Sequence, residues 1–235
     1  MTTSPILYED SDLLIVEKPE GVLSHPNPGR ASGRCAFEGK YDPARRVFES
    51  AGGPLWLIHR LDQDTSGVLL AAKTHRSAEV CREQFEKGEI RKIYRALALG
   101  RVHPREGAWR DHLIKKIGRS AVRSLILKGK APNAVLTYRL EKYFQGMHLS
   151  LLEILLVTGK THQIRIQAAF RGWPIVGDEI YGDFRMNKNL RGKIGAKRLM
   201  LHASSITFRH PETCQEMTVT AELPPAFEEI LKNIG

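Results

Sequence analysis

Between the apolar runs LWLI and VLLAA the chain places HRLDQDTSG, residues 59 to 67, where a histidine, an arginine and two aspartates fall within a few positions. Charged side chains between stretches that read as buried strands are costly unless they are paired or used in chemistry. Taken alone, Asp62 reads as a turn residue whose carboxylate bonds nearby backbone or the hydroxyls of Thr65 and Ser66. Asp64, Thr65 and Ser66 then form the turn, Gly67 lets the backbone reverse, and His59 is a hydrogen-bonded structural histidine. A second group is TGKTHQIRIQ, residues 158 to 167, in which Arg165 follows His162 by one helical turn. It reads as a surface residue or as the partner that keeps a buried aspartate ionised. Such a pair at about 4 Å interacts by roughly 4 kcal/mol at an effective dielectric of 20, enough to oppose desolvation. The third group is RKIYRALALG. Tyr94 there packs across strands in its ordinary role, but an aromatic among Arg91, Lys92 and Arg95 also suits the stacking of an unpaired base.

The elements that must position these groups are mostly strands. ILYEDSDLLIVEKP reads as a hairpin around EDSD, and GVLLAAK as a buried strand. RSAEVCREQFEKG is a helix with Ala78, Cys81 and Phe85 on one face and Gly88 as its stop. IRKIYRALALG, AVLTYRLEKYF, HLSLLEILLVTG, RLMLHASSITF and EMTVTAEL are further strands. THQIRIQAAFRG is a helix capped by Thr161 and ended at Gly172, and PPAFEEILKNIG a closing helix opened by proline. Residues 25 to 54 read as a long irregular segment. No fixed repeat appears, and helices do not regularly separate the strands. The expected fold is α+β, a large and mainly antiparallel sheet flanked by helices and loops, with an active-site cleft across the sheet. One domain spanning residues 1 to 235 is expected.

Thirty-six Lys and Arg against 26 Asp and Glu give a net charge of +10, an excess that favours a polyanionic partner, nucleic acid first. Much of it is local. Arg185, Lys188, Arg191, Lys193, Lys197 and Arg198 form an acid-free run that reads as a loop. A second group runs from Arg110 through Lys115, Lys116, Arg119 and Arg123 to Lys128 and Lys130. Neither run alternates with a sustained apolar stripe, which disfavours a membrane surface. Cys35, Cys81 and Cys214 are too few and too far apart for a zinc or redox pair, so a reducing, cytoplasmic setting is expected.

Taken in order, KPEG at 18 to 21, HRLDQDTSGVLLAAK, KIYRALALG, TGKTHQIRIQAAFRGWPIVGDEIYG and RLMLHAS at 198 to 204 give a pattern covering most of the chain. It resembles the RluA-type family of RNA pseudouridine synthases, which isomerise uridine in RNA. The resemblance implies that Asp62 is the catalytic aspartate and that Arg60 enters the RNA as the uridine leaves the stack. It implies further that Tyr94 packs on the target base and Arg165 pairs the aspartate. Lys18 and Pro19 become structural support near the site, Leu201 a wall of the pocket, and Lys92 and His59 further substrate contacts. Two positions depart from the family pattern: Lys160 stands where arginine is frequent, and Gln167 where histidine is common.

The implied reaction breaks the N1–C1′ bond, turns the uracil, rejoins it through C5 and sheds the C5 proton. No redox change or carrier is involved, so no cofactor and no metal are expected. One ionised carboxylate can act as nucleophile or base. The nucleotide must flip out, at a cost of about a few kcal/mol. The partner is then structured RNA, transfer or ribosomal, with the basic loop before RLMLHAS leaning toward transfer RNA, and the chain is expected to be a monomer. Two other readings compete. DQDTS and GDEIYGD loosely match the acidic motifs of haloacid dehalogenase-type phosphohydrolases, where Asp62 would be phosphorylated and Asp64, Asp178 and Asp183 would hold magnesium. The other is an RNA-binding or folding module with secondary catalysis.

Overall fold

The computed structural model describes residues 2–26, 33–117 and 122–235. Arg119, counted above in the second basic group, lies outside the described residues. The chain forms two compact units, one of Met1–Lys92 with Ala203–Glu222 and one of Ile93–His202 with Leu223–Gly235. Each is α+β, as expected.

In the first unit the hairpin of β1 (Ile6–Glu9) and β2 (Leu13–Lys18) forms around EDSD, with Asp10 accepting from the backbone N–H of Asp12 and Leu13. Strands β3 (Lys40–Asp42), β4 (Val47–Ser50) and β5 (Gly53–Leu57) form an antiparallel meander where an irregular segment was expected. The strands are short, and the Pro, Gly and Arg around them hid the alternation. Strand β6 (Ser66–Ala72) pairs with both β2 and β5. It is buried along its whole length, which is why it reads as an unbroken apolar run. Helix α1 (His75–Lys87) is capped by Thr74 and stopped by left-handed Gly88; Ala78 and Cys81 are buried, with Phe85 packed beside them.

In the second unit β7 (Arg91–Leu99, entering at Ile93), β11 (Leu149–Leu156), β10 (Ala134–Phe144), β8 (Glu106–Ile117) and β9 (Val122–Leu127) pair antiparallel in that order. Helix α2 (Gln163–Phe170) is shorter than expected, because His162 takes a left-handed conformation (φ 54°) and bars the helix from starting earlier. Thr161 is therefore no cap, and His162 shares no helical face with Arg165. The basic run after Arg185, expected as a loop, is largely helix α3 (Phe184–Ile194), capped by Asp183 and closed by Gly195. Strand β12 (Leu201–Arg209) runs from the second unit into the first and pairs there with β13 (Glu216–Thr220). Helix α4 (Pro225–Ile234) opens with proline, as read. Among the described residues no helix is long and apolar enough to cross a membrane, and all three cysteines are free.

Candidate active site

In the first unit Asp62 sits in a tight turn between β5 and β6, closed by the Thr65 N–H donating to the Asp62 carbonyl at 3.2 Å. Both neighbours of Asp62 are fixed by the segment from Lys18 to Ser24. Before it, buried Leu61 donates its N–H to Ser24 Oγ at 3.0 Å, and the same hydroxyl donates back to the Leu61 carbonyl at 2.9 Å. After it, Lys18 Nζ donates to the Gln63 carbonyl at 2.9 Å, and to the carbonyls of Pro19 and Val22 at 2.8 and 2.7 Å. Lys18 is fully buried, and a buried ammonium is tolerated only when its donors are used in this way. Gln63 adds a bond from its own side chain to the Gly21 carbonyl. The turn is thus pinned from both sides while Asp62 stays half-buried and Arg60 and Asp64 exposed.

Two local readings change. Thr65 Oγ1 is buried without a hydrogen-bond partner, so the Asp62 carboxylate does not bond that hydroxyl. Gly67 does not reverse the chain. It lies within β6 opposite Lys18, with φ +118°, and a Cβ there would overlap the Ala203 backbone, so glycine is required for close approach.

His59 is hydrogen-bonded to the backbone of β6. Its Nε2 accepts from the Leu70 N–H at 3.1 Å, which places the ring proton on Nδ1, and the ring stacks on Phe85 at 5.4 Å. Burial, then the charge of Lys92, outweigh a backbone bond at Arg60 and push its pKa down to about 3, so the ring is neutral near pH 7. Lys92 Nζ lies 5.3 Å from the centre of the same Phe85 ring, and burial lowers its pKa. His59 and Lys92, both expected at the substrate, are therefore brought together on Phe85.

In the second unit Arg165 is held by a carboxylate. Its Nε and Nη2 donate to Asp178 Oδ2 and Oδ1 at 2.7 and 2.9 Å, a two-pronged pair with both side chains almost wholly buried. The pair uses two of the five N–H donors of the guanidinium. Burial pushes the Asp178 carboxyl up, but the Arg165 hydrogen bond and charge, with the N–H groups of Tyr181 and Ile180, outweigh it and hold the pKa below the usual range. The guanidinium also lies 5.7 Å from the Tyr181 ring centre. The Tyr181 hydroxyl accepts from the Ser124 N–H of β9 at 2.6 Å, and burial raises its pKa. The Asp178 turn needs Gly177 (φ +78°), where a Cβ would overlap the Arg198 carbonyl.

Tyr94 is buried on β7 opposite Ile154, and Leu201 is buried at the start of β12. Arg95 beside Tyr94 is bound to Glu141 on β10. Asp178 and Tyr181 were not singled out as supports of Arg165. Their signal was the GDEIYG block itself, an acid in a glycine turn a short way downstream of a buried arginine. The magnesium reading loses two of its ligands: Asp178 is taken up by Arg165, and Asp183 caps α3 by accepting from the Met186 N–H. Among the described residues no group of three or more His, Cys, Asp and Glu is arranged to hold a metal ion.

Comparison with known proteins adds a separate line. Residues 12–170 match the family model described as RNA pseudouridylate synthase. The chain is 34% identical over 97% of its length to the ribosomal large subunit pseudouridine synthase C of Buchnera aphidicola subsp. Schizaphis graminum, covering 70% of that protein. It is 33% identical over 96% of its length to the protein of the same name in Vibrio parahaemolyticus, covering 68% of it. Among solved structures, human RNA pseudouridylate synthase domain containing 4 superposes with a TM-score of 0.71 at 22% identity, over 98% of this chain and 92% of that one. The human domain-containing 1 protein gives 0.70 at 21%, over 97% and 88%.

Proposed function

The chain belongs to the RNA pseudouridylate synthase family and is an isomerase acting on uridine in RNA; from that premise we propose that its substrate is large-subunit ribosomal RNA and that Asp62 is the carboxylate that does the chemistry. The ribosomal assignment draws on the names of the relatives, and it replaces the lean toward transfer RNA, whose basis was a basic loop that is in fact mostly α3.

The observation that carries the role of Asp62 is the double pinning of its turn by Ser24 and Lys18. A nucleophile or base gains rate from being held in place before substrate arrives. Here the holding is done through the backbone of Leu61 and Gln63, on either side of Asp62. Asp62 then acts on the flipped nucleotide as nucleophile or base while the N1–C1′ bond breaks and the C5–C1′ bond forms, the C5 proton leaving and N1 gaining one. Exposed Arg60, two residues earlier, is suited to occupy the gap left in the stack. We assign Tyr94 to the face of the base and Arg165 to the charge of the carboxylate, following the family pattern, with Leu201 as an apolar wall. The burial of Tyr94 and the fixed orientation of Arg165 by Asp178 support those roles. The reading takes the whole chain as one catalytic domain acting as a monomer.

The test is pseudouridine mapping of total RNA from cells with and without the gene, complemented by wild type or Asp62→Asn. One or more sites in large-subunit ribosomal RNA should vanish on deletion and return only with wild type. Return with Asp62→Asn would remove the assignment of the aspartate, and a change confined to transfer RNA would remove that of the substrate.

A further inference from the structure

Strands β8 and β9 form a two-stranded ribbon in strict register from His112↔Leu127 to Lys116↔Arg123, with no bulge along these pairs. Side chains therefore alternate cleanly between its two faces. One face packs against the rest of its unit, apart from exposed Lys115. Asp111 accepts from Gln167 and Arg171 at 2.6 and 2.9 Å, Leu113 and Ile126 pack with Ile166, and Ser124 bonds Tyr181 and the Thr161 carbonyl. Lys128, just past the strand, reaches over the Phe170 ring.

The opposite face carries Arg110, His112, Ile114 and Lys116 from β8 and Arg123, Leu125 and Leu127 from β9. Three of these are exposed aliphatics: Ile114 at 37%, Leu125 at 40% and Leu127 at 38%. Arg110, Lys116 and Arg123 are exposed; Glu106 shares this side at the start of β8, but along the paired stretch, 112–116 with 123–127, this face carries no acidic side chain. In a chain with 26 acidic residues, a paired stretch whose outer side chains are aliphatics, cations and one histidine is not an average solvated surface. A protein partner would be recognised by an apolar patch with a mixed polar rim. A rim of one sign around a flat apolar strip instead complements a nucleic-acid helix, where aliphatics meet riboses and base edges and cations meet phosphates. The minor groove of A-form RNA is wide and shallow enough for a flat ribbon.

We propose that this face of the β8–β9 ribbon docks on helical RNA flanking the target uridine, with Ile114, Leu125 and Leu127 against the minor groove and Arg110, Lys116 and Arg123 on its phosphates. The inference rests on the reading of the chain as an enzyme of structured RNA and adds where the surrounding helix is gripped.

Binding to a 20-base-pair RNA hairpin and to a DNA hairpin of the same sequence tests it, measured across a salt series. The variant Lys116→Glu/Arg123→Glu should bind the RNA hairpin about ten-fold or more weakly, with the log–log salt slope reduced by about 2. The variant Ile114→Thr/Leu125→Thr/Leu127→Thr keeps strand-forming side chains at exposed positions, so the fold is retained. It should lose about three- to ten-fold on RNA, leave the salt slope unchanged, and narrow the preference for RNA over DNA. The control Arg76→Glu/Lys87→Glu, with the same change of charge on exposed α1, should move RNA binding less than two-fold. Ribbon variants indistinguishable from that control overturn the proposal. So does a wild-type dimer that the threonine variant dissolves, since a second copy would then be the occupant. Pseudouridine formation in a large-subunit ribosomal RNA transcript, assayed on the same preparations, keeps the readings apart. An active wild type with ribbon-independent binding overturns the docking face alone. Ribbon-dependent binding without any pseudouridine upholds the docking face and overturns the substrate assignment.

Discussion

The Asp62 turn and the Arg165 assembly hold their key side chains by opposite means. The turn is fixed through its backbone: Ser24 holds the N–H and carbonyl of Leu61, and Lys18 holds the carbonyl of Gln63. Arg165 is gripped at its charged end, by a buried carboxylate that takes two of its donors and by an aromatic ring beside it. Backbone clamping leaves the chemistry of a side chain untouched while fixing its place. Clamping at the charge fixes orientation and charge state together, and makes the unit's stability depend on the pair. The difference predicts that damage to the two regions will be felt differently, one in rate and one in folding.

The largest effect is expected at Asp178. Asp178→Ala strands the buried Arg165 guanidinium without its carboxylate, a change of about 3–5 kcal/mol. Denaturant unfolding should show that loss, and activity should fall with the folded fraction and beyond it. Lys18→Met comes next. It removes a buried charge, which is favourable in itself, yet leaves the carbonyls of Pro19, Val22 and Gln63 without their shared donor, for a net loss of about 2–3 kcal/mol. Its signature lies in kinetics: at a temperature where the variant is folded, kcat should fall at least ten-fold with KM nearly unchanged, because the Asp62 turn is loosened while RNA contacts remain. An equal loss from Lys18→Met in RNA binding would mean that the clamp serves the substrate, and the contrast between the regions would collapse.

The turn was legible in sequence because its residues are contiguous and its flanking strands are apolar runs. What the sequence concealed was the clamp. Ser24 and Lys18 reach residues 61 and 63 across |i−j| separations of 37 and 45, and a lysine followed by proline gives no sign that its ammonium is buried. Arg165 was legible as an arginine in need of a carboxylate. Asp178 as one such carboxylate was not, since GDEIYGD reads equally well as an acidic metal motif. The basic stretches misled in a simple way. Charge density announces solvent, and solvent was equated with loop, whereas α3 and the β8–β9 ribbon are regular elements with one face exposed. A ribbon that mixes aliphatics and cations on its outer face shows no clean period-2 alternation of hydrophobicity, so its strands passed unread.

A third prediction concerns pH and the first unit alone. His59 titrates near 6.5 when unfolded and at about 3 when folded, so the unfolded chain binds a proton that the folded one refuses. This contribution to stability is fully present above pH 6.5 and is lost progressively as pH falls toward 3. By pH 4.5 the loss should be roughly 2–3 kcal/mol. His59→Gln, whose side-chain carbonyl can still accept from the Leu70 N–H, should flatten the stability curve over that window and leave it unchanged below. Asp178, in the second unit, loses its contribution in the same direction but in a lower window. Its depressed pKa places its contribution above the ordinary carboxylate range and removes it only in more acid solution, so the two groups separate along the pH axis.

The smallest effect sharpens the comparison most. Tyr181→Phe keeps the ring beside Arg165 and removes only the hydroxyl that accepts from the Ser124 N–H at 2.6 Å. The cost is an unsatisfied N–H at buried Ser124, about 1–2 kcal/mol, or a fall in Tm of a few degrees for a chain of this size. If the arginine assembly is fixed by its charge partner alone, kcat should be unchanged, because Asp178 still holds the guanidinium from the other side. If the ribbon also sets the tilt of the ring, kcat should fall a few-fold with KM unaltered, and Tyr181→Leu, which removes ring and hydroxyl together, should fall further. We expect the second result. Both the ring and its hydroxyl are engaged, one by the arginine and one by the ribbon backbone, so a shift of β9 cannot leave the ring in place. That would make Tyr181 a point at which a backbone clamp, of the kind that fixes Asp62, reaches the side chain of Arg165.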